Sequence, residues 1–285
     1  MQSLKGYFLE IRPGPMVGML IAVVVGSFFA YGVIAEFGNM GVYLVCVFLA
    51  LYGAHLMDTY VDYYKRGIRS PTGSVFMDSN GLLSRNQLRY ACLVTMVLFS
   101  VLSAYLILQY GLLLLVIMAS GAFLGLAYSY FGLDRSVVFC AAGYGSGVVL
   151  AFLGGYVIQK GCLDLSITVF GVSLLLLLFG GKVLDDLPDV DHDRSIGKKT
   201  LPVVIGTSRA LKLALVLLWS MIIVIILSAL LGVIPSQLVY PTTATTPLYA
   251  YGSYMEFKDY RKGIKFIMVS FIVMLLLCLA TLIIV

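Results

Sequence analysis

Hydrophobic residues in this chain run in long unbroken stretches, without the alternation of strands or the one-sided stripe of soluble helices. Apolar runs of about 18 or more residues recur from end to end, and each can cross a bilayer as a helix. Nine spans are predicted, over about 14–35, 40–63, 88–108, 111–131, 136–158, 164–184, 209–232, 235–254 and 264–285. Continuous rather than alternating runs argue against a membrane β-barrel. The fold class is therefore expected to be all-α: a polytopic membrane protein with nine transmembrane helices, in a single integral-membrane domain over residues 1–285. The eighth span holds Pro241, Thr242, Thr243, Thr245, Thr246 and Pro247. Its composition predicts a kinked, interior-facing helix.

Composition agrees with this reading. Of 285 residues, 61% are hydrophobic and 12% charged, and the mean hydropathy is +1.01; a soluble domain carries about 25% charged residues. Residues Met1 to Arg12 lack the pattern of a cleaved signal peptide and read as a short amphipathic lead-in. Cys46, Cys92, Cys140, Cys162 and Cys278 are scattered with no CxxC pair. They read as small core residues rather than as a disulfide or zinc framework.

Charge gives the topology. With nine spans, 18 of the 19 Lys and Arg residues fall on the face that carries the N-terminus, and Lys160 alone falls on the other. The positive-inside rule then places the N-terminus in the cytoplasm and the C-terminus outside. The net charge of +5 is accounted for by this asymmetry and does not point to nucleic acid. Two long cytoplasmic loops are expected, near 64–87 and 185–208, both rich in turn formers and basic residues. Ser84 and Ser208 read as N-caps of the helices that follow them.

Carboxylates are costly in so apolar a chain and need a reason. They gather in two places, each at the end of an apolar span and each followed by basic residues. The first is Asp58-Thr59-Tyr60-Val61-Asp62; the second runs Asp185-Asp186-Leu187-Pro188-Asp189-Val190-Asp191-His192-Asp193. Asp58 and Asp62, like Asp189 and Asp193, stand at i and i+4, on one helix face, where like charges repel unless a cation intervenes. Mg2+ favours oxygen ligands and is held by one or two carboxylates together with substrate phosphates. The expected metal ligands are Asp58, Asp62, Asp189 and Asp193, with Asp186 in support. Two such clusters would grip a diphosphate through bridging ions. Solvated aspartates balancing nearby Lys and Arg are the plainer reading, and the repetition at equivalent helix ends counts against it.

Arg12, Arg69, Arg135 and Lys198 are candidates to contact diphosphate oxygens, where Arg suits bidentate bonds. Lys65, Arg66, Arg194 and Lys199 serve the positive-inside asymmetry and are available for the same role. Tyr128, near the end of the fourth span, reads either as an interfacial belt residue or as a contact near the reaction centre. His55 and His192 read as packing or solvated residues, or as a ligand or base.

At these residues the chain resembles the UbiA superfamily of intramembrane prenyltransferases. The resemblance rests on Asp58-Thr59-Tyr60-Val61-Asp62 with the following Tyr63-Tyr64-Lys65-Arg66-Gly67. It rests also on Asp189-Val190-Asp191-His192-Asp193-Arg194 running into Gly197-Lys198-Lys199-Thr200-Leu201-Pro202. Arg12-Pro13 and Tyr128-Ser129 fit as well. Asp58 stands where the family usually has Asn. Gly67 and the run Ser79-Asn80-Gly81-Leu82-Leu83-Ser84 look most like the MenA branch, which prenylates dihydroxynaphthoate in menaquinone synthesis.

The resemblance implies a ring of nine helices around a central cavity and Mg2+-dependent transfer of an isoprenyl group from an isoprenyl diphosphate. The expected acceptor is a lipophilic or aromatic ring, with catalysis by Asp58, Asp62, Asp189, Asp193 and Tyr128. Asp191 or a cluster aspartate is a candidate to deprotonate the acceptor. The alternative acceptor is a geranylgeranylglyceryl phosphate, as in archaeal-type lipid synthesis. An ion-coupled transporter is the alternative of another class, but it would place its acids near the bilayer midplane.

Overall fold

A straight 46-residue helix would be about 69 Å long, more than twice the hydrocarbon thickness of a bilayer. The segment Arg85–Tyr130 is of that length, and it breaks once, at Gly111 (φ 75°, ψ −158°). This break sits where the sequence separates the third and fourth expected spans.

The computed structural model describes residues 2–67 and 82–256, with the separate positions 266, 269, 270, 273, 276, 277, 280 and 281. The described helices, in chain order, are α1 (Gln2–Leu9), α2 (Pro13–Tyr31), α3 (Phe37–Thr59), α4 (Arg85–Tyr130), α5 (Val137–Lys160), α6 (Leu165–Asp185), α7 (Val190–Ser195), α8 (Leu201–Ile205), α9 (Thr207–Leu230) and α10 (Val239–Glu256). A π-helical segment, Tyr60–Arg66, continues α3. No strand occurs among the described residues, in agreement with the all-α expectation. Four helical stretches are long and apolar enough to cross a membrane: Phe37–Arg66, Arg85–Leu126, Leu165–Asp185 and Thr207–Leu230. The expected count of nine spans is not reached among the described residues, and most of the ninth, 264–285, lies outside them. Large apolar side chains face outward, with Leu108 88% and Leu231 78% exposed. So much exposed apolar surface suits lipid, not water.

The chain packs as two compact units. The first comprises Met1–Ser27, Ala35–Asp134 and Leu150–Cys162. Within it, α2 and α5 approach so closely that a Cβ on Gly26 would meet the Phe152 carbonyl oxygen at 2.0 Å. One on Gly155 would meet the Val23 carbonyl oxygen at 2.3 Å. Small residues permit this approach, as in membrane helix pairs generally. The Ser27 hydroxyl, fully buried, donates to the carbonyls of Val23 and Gly155 at 3.0 and 3.1 Å. At the other end of this unit Leu56, Tyr60, Val61, Leu83, Leu88 and Cys92 form an apolar cluster. Ser84 caps α4 as predicted: its hydroxyl accepts from the Gln87 N–H at 3.3 Å while Gln87 Oε1 accepts from the Ser84 N–H at 2.8 Å. This is a reciprocal capping box.

The second unit comprises Phe28–Ile34, Arg135–Val149 and Leu163–Val285. Here α6 and α9 meet at Gly180, where a Cβ would stand 3.0 Å from the Ala214 carbonyl oxygen. The expected loop 185–208 is largely helical, as α7 and α8 occupy it. Ser208 does not cap α9: the helix starts at Thr207 behind Gly206 (φ 86°), and Ser208 lies inside it. In α10, Pro247 is internal to the helix, and Thr242 and Thr245 are buried while Thr243, Pro247 and Tyr251 are exposed, so one face alone points inward rather than the whole helix. Their hydroxyls donate to the carbonyls of Leu238 and Pro241 at 2.9 Å each, so the helix satisfies its own polar groups.

Candidate functional site

The first acidic pair straddles a change of helix type. Asp58 belongs to α3 and Asp62 to the π-helical segment, whereas a plain α-helix was expected through both. A π-turn uses i→i+5 hydrogen bonds and often marks functional positions. The Gly67 N–H accordingly reaches back to the Asp62 carbonyl, and Gly67 takes φ 69° to end the helix. The wider turn also brings i+5 neighbours together, setting the Lys65 ammonium 5.6 Å from the centre of the Tyr60 ring. In an α-helix those two side chains would diverge by about 140°.

Both carboxylates of this pair hold arginines. Arg12 Nη1 donates to Asp58 Oδ2 at 2.9 Å, and Arg66 Nη1 donates to Asp62 Oδ1 at 3.1 Å. Arg12 was expected at the diphosphate. In the structure it is tied into a network around Asp58, and it is the one described residue other than glycine with positive φ, at 48°. Its Nη2 donates to the Thr59 hydroxyl at 3.1 Å and lies 3.8 Å from Glu10 Oε2. Glu10 is fully buried, and its Oε2 accepts from the Thr59 hydroxyl at 2.7 Å. His55, also buried, meets the Glu10 backbone oxygen through Nδ1 at 3.1 Å, a packing and anchoring role.

Sequence reasoning missed Glu10 and Thr59. Glu10 was absorbed into the amphipathic lead-in. The signal that could have found it is an acid two residues before Arg12 in a segment that enters the membrane.

The end of α4 comes to the same place. The Lys65 ammonium lies 4.3 Å from the centre of the Tyr130 ring. Tyr128, two residues earlier, is half-buried. Arg69 falls outside the described residues.

The second cluster lies in the other unit, at the end of α6 and in α7. The structure ranks its acids differently from the sequence. Asp186 and Asp193 are buried, each 6% exposed, while Asp189, expected as a principal ligand, is exposed at the N-terminus of α7. The helical spacing still holds, with the Asp193 N–H donating to the Asp189 carbonyl at 2.8 Å. Leu187 and Val190 are buried beside them, and this apolar anchoring turns Asp186 and Asp193 inward.

Burial pushes the Asp186 carboxyl up to about 6, against the pull of Lys182, whose ammonium donates to it. Burial raises Asp193 too, with Asp189 adding to the rise and Lys198 and Lys182 opposing it. Lys198, expected at the diphosphate, lies beside this cluster, and its N–H donates to the Asp193 carbonyl at 2.9 Å. Asp191 is almost fully exposed, 3.2 Å from Arg194. Arg135 is exposed at the end of a one-turn 3-10 helix, Leu133–Arg135, and pairs with no described acid.

Two buried carboxylates whose charge is disfavoured by burial and by each other are suited to receive a cation. The Thr200 hydroxyl is buried, approaches Asp193 closely enough to favour its ionised form, and completes no hydrogen bond. An oxygen-only donor set of this kind fits Mg2+ rather than a softer metal. Among the described residues no set of three or more acid, His or Cys side chains is gathered around one point.

Comparison with known proteins identifies the family. A digeranylgeranylglyceryl phosphate synthase of Methanosphaera stadtmanae is 24% identical over 217 residues, covering 75% of this chain and 72% of its own length. A solved structure concerning digeranylgeranylglyceryl phosphate synthase in membranes superposes with a TM-score of 0.79 at 19% identity, over 100% of both chains. A UbiA homologue from Archaeoglobus fulgidus bound to GPP and Mg2+ superposes with a TM-score of 0.72 at 16% identity, over 98% of this chain and 100% of its own. None of these singles out the MenA branch, and the menaquinone expectation finds no support among them. The pattern of the UbiA prenyltransferase family matches residues 19–275, a stretch holding both acidic clusters, and this chain, a prenyltransferase, belongs to that family.

Proposed function

We propose that the protein transfers an isoprenyl group from an isoprenyl diphosphate to a glyceryl phosphate lipid, with Mg2+ as cofactor. The observation that carries the reaction is the pair of carboxylate clusters at helix ends, one of them with Asp186 and Asp193 buried and their carboxyls raised by burial despite Lys182 and Lys198. The acceptor follows from the relatives, which bear a glyceryl phosphate synthase name where the sequence alone favoured an aromatic ring.

Asp58 and Asp62 would hold one ion, and Asp186 and Asp193, with Asp189 at the rim, another. An ion held there would supply positive charge to the departing diphosphate. Lys198 adds positive charge beside Asp193, and Arg69 and Arg135 are assigned to the diphosphate oxygens on sequence grounds. Arg12 and Glu10 fix the Asp58 side chain from behind. Tyr128 lines the reacting carbon, and the surrounding apolar residues keep water from an allylic centre with cationic character. The acceptor hydroxyl attacks that carbon and loses its proton to a cluster aspartate. The active site and the N-terminus face the cytoplasm.

Turnover of purified protein in liposomes tests this reading, with geranylgeranyl diphosphate, Mg2+ and either geranylgeranylglyceryl phosphate or dihydroxynaphthoate. An EDTA-sensitive product with the glyceryl phosphate supports it. A product with dihydroxynaphthoate alone overturns the acceptor assignment.

A further inference from the structure

Neither acidic pair uses the cations gathered around Tyr60. Lys65 stands over Tyr60 and Tyr130, at 5.6 and 4.3 Å from the ring centres. The Arg85 guanidinium carbon lies 5.9 Å from the Tyr60 ring, and its Nη2 donates to the Tyr60 hydroxyl at 3.4 Å. The charge of Arg89, one turn further along α4, reaches the same phenol. All three cations are exposed, and none ion-pairs with a described carboxylate. Asp62, in the same π-helical segment as Lys65, is held by Arg66.

The positive-inside rule explains cations on this face but not their convergence. Lys65 comes from the π-helical segment, Arg85 and Arg89 from the start of α4, and Tyr130 from the far end of α4, returned by the break at Gly111. Three like charges around one buried phenol repel each other and favour an anion between them. The Tyr60 hydroxyl accepts from Arg85, so its own proton is left to donate.

We propose that Lys65, Arg85, Arg89 and the Tyr60 hydroxyl form a subsite for the phosphate monoester of the acceptor, within a turn of Asp62. This rests on the glyceryl phosphate reading above. A phosphate monoester carries up to about two negative charges and three acceptor oxygens. Arg85 and Arg89, at i and i+4, present two guanidinium forks from one helix face, the geometry suited to such oxygens. The subsite separates the acceptor phosphate from the donor diphosphate, which belongs to the aspartates. It would discriminate against acceptors that lack a phosphate.

The test compares wild type, R85Q/R89Q and the charge control R209Q/K212Q, whose cations lie on α9. Each is reconstituted in phosphatidylcholine vesicles with and without phosphatidylglycerol. Direct binding of geranylgeranylglyceryl phosphate without donor is measured beside the KM of each substrate. The expected result for R85Q/R89Q is an acceptor KM and Kd raised about tenfold or more, the loss typical of charge-assisted hydrogen bonds, with the donor KM within about twofold. K65Q should repeat the effect more weakly, which guards against a folding defect in the double variant.

An unchanged acceptor KM and Kd overturns the proposal. So does a donor KM that rises instead, which would assign the cations to the diphosphate. An effect seen only with phosphatidylglycerol, and equally in R209Q/K212Q, overturns it in favour of bulk lipid headgroups. Arginine-dependent binding by a wild type that does not turn this acceptor over would keep the subsite and remove the functional reading. No binding by wild type removes both.

Discussion

Gly111 offers the sharpest test of how this fold assembles its site. Its backbone, at φ 75° and ψ −158°, lies in a region that only glycine occupies readily, where another residue costs about 1–3 kcal/mol. A Cβ there would meet nothing within 4 Å, so Gly111→Ala carries the backbone cost with no clash added. Gly121 lies in the same segment, also with nothing within 4 Å of a built Cβ, but with ordinary helical backbone. There alanine should stabilise by about 0.5–1 kcal/mol, because glycine loses more chain entropy on folding. The two substitutions add the same methyl group in equally open space and should act with opposite signs. Reversible unfolding in mixed micelles, or thermal melting in detergent, reads the difference, expected at about 1.5–4 kcal/mol. Gly111→Ala should also weaken acceptor use, since the return of the chain at Gly111 brings Tyr130 to Lys65. A Gly111→Ala protein as stable as wild type, or more so, would refute the reasoning.

Three further outcomes are expected. Asp62→Ala and Asp193→Ala should each abolish turnover in the liposome assay while the protein still elutes as folded material; full activity in either sinks the two-cluster mechanism. Glu10→Gln should lower stability by about 1–3 kcal/mol, the cost of breaking a buried hydrogen-bonded network, and raise the Mg2+ concentration for half-maximal activity by loosening Arg12 behind Asp58; an unaltered melting temperature and Mg2+ dependence would show that the network is idle. Burial raises the carboxyls of Asp193 and Asp186, the latter to about 6, so their favourable contribution to folding is complete below the ordinary carboxylate range and is lost as pH rises through the raised values. In EDTA, Asp193→Asn should therefore raise the melting temperature near neutral pH and lose that advantage as the pH falls below the ordinary carboxylate range; equal melting curves at neutral pH would contradict a net cost of burying that charge.

Much of the site was legible because its signals are local. The cost of a carboxylate in an apolar window is a property of a few neighbouring residues, and so is an i, i+4 spacing. Both acidic pairs, Lys198 and the cap at Ser84 follow from such windows. The bond from Arg12 to Asp58 was not legible, since nothing near Arg12 in sequence announces a residue 46 positions away. The order of burial in the second cluster was equally hidden. Asp189 and Asp193 look equivalent in a D-x-x-x-D, and only the anchoring of Leu187 and Val190 turns Asp186 and Asp193 inward.

The sequence by itself determined that the chain is helical and lipid-soluble, because the free energy of transferring a window of residues into hydrocarbon depends on composition and length alone. It also determined where charge must be explained, and the family followed from those residues. The tertiary structure decided which charges meet. The turn at Gly111 returns Tyr130 to Lys65, the π-helical turn sets Lys65 over Tyr60, and the buried Glu10 reaches Thr59 and Arg12. Each contact joins residues from separate elements or depends on a change of helical pitch. Hydropathy, which sums over neighbours along the chain, carries no information about pairs brought together across it.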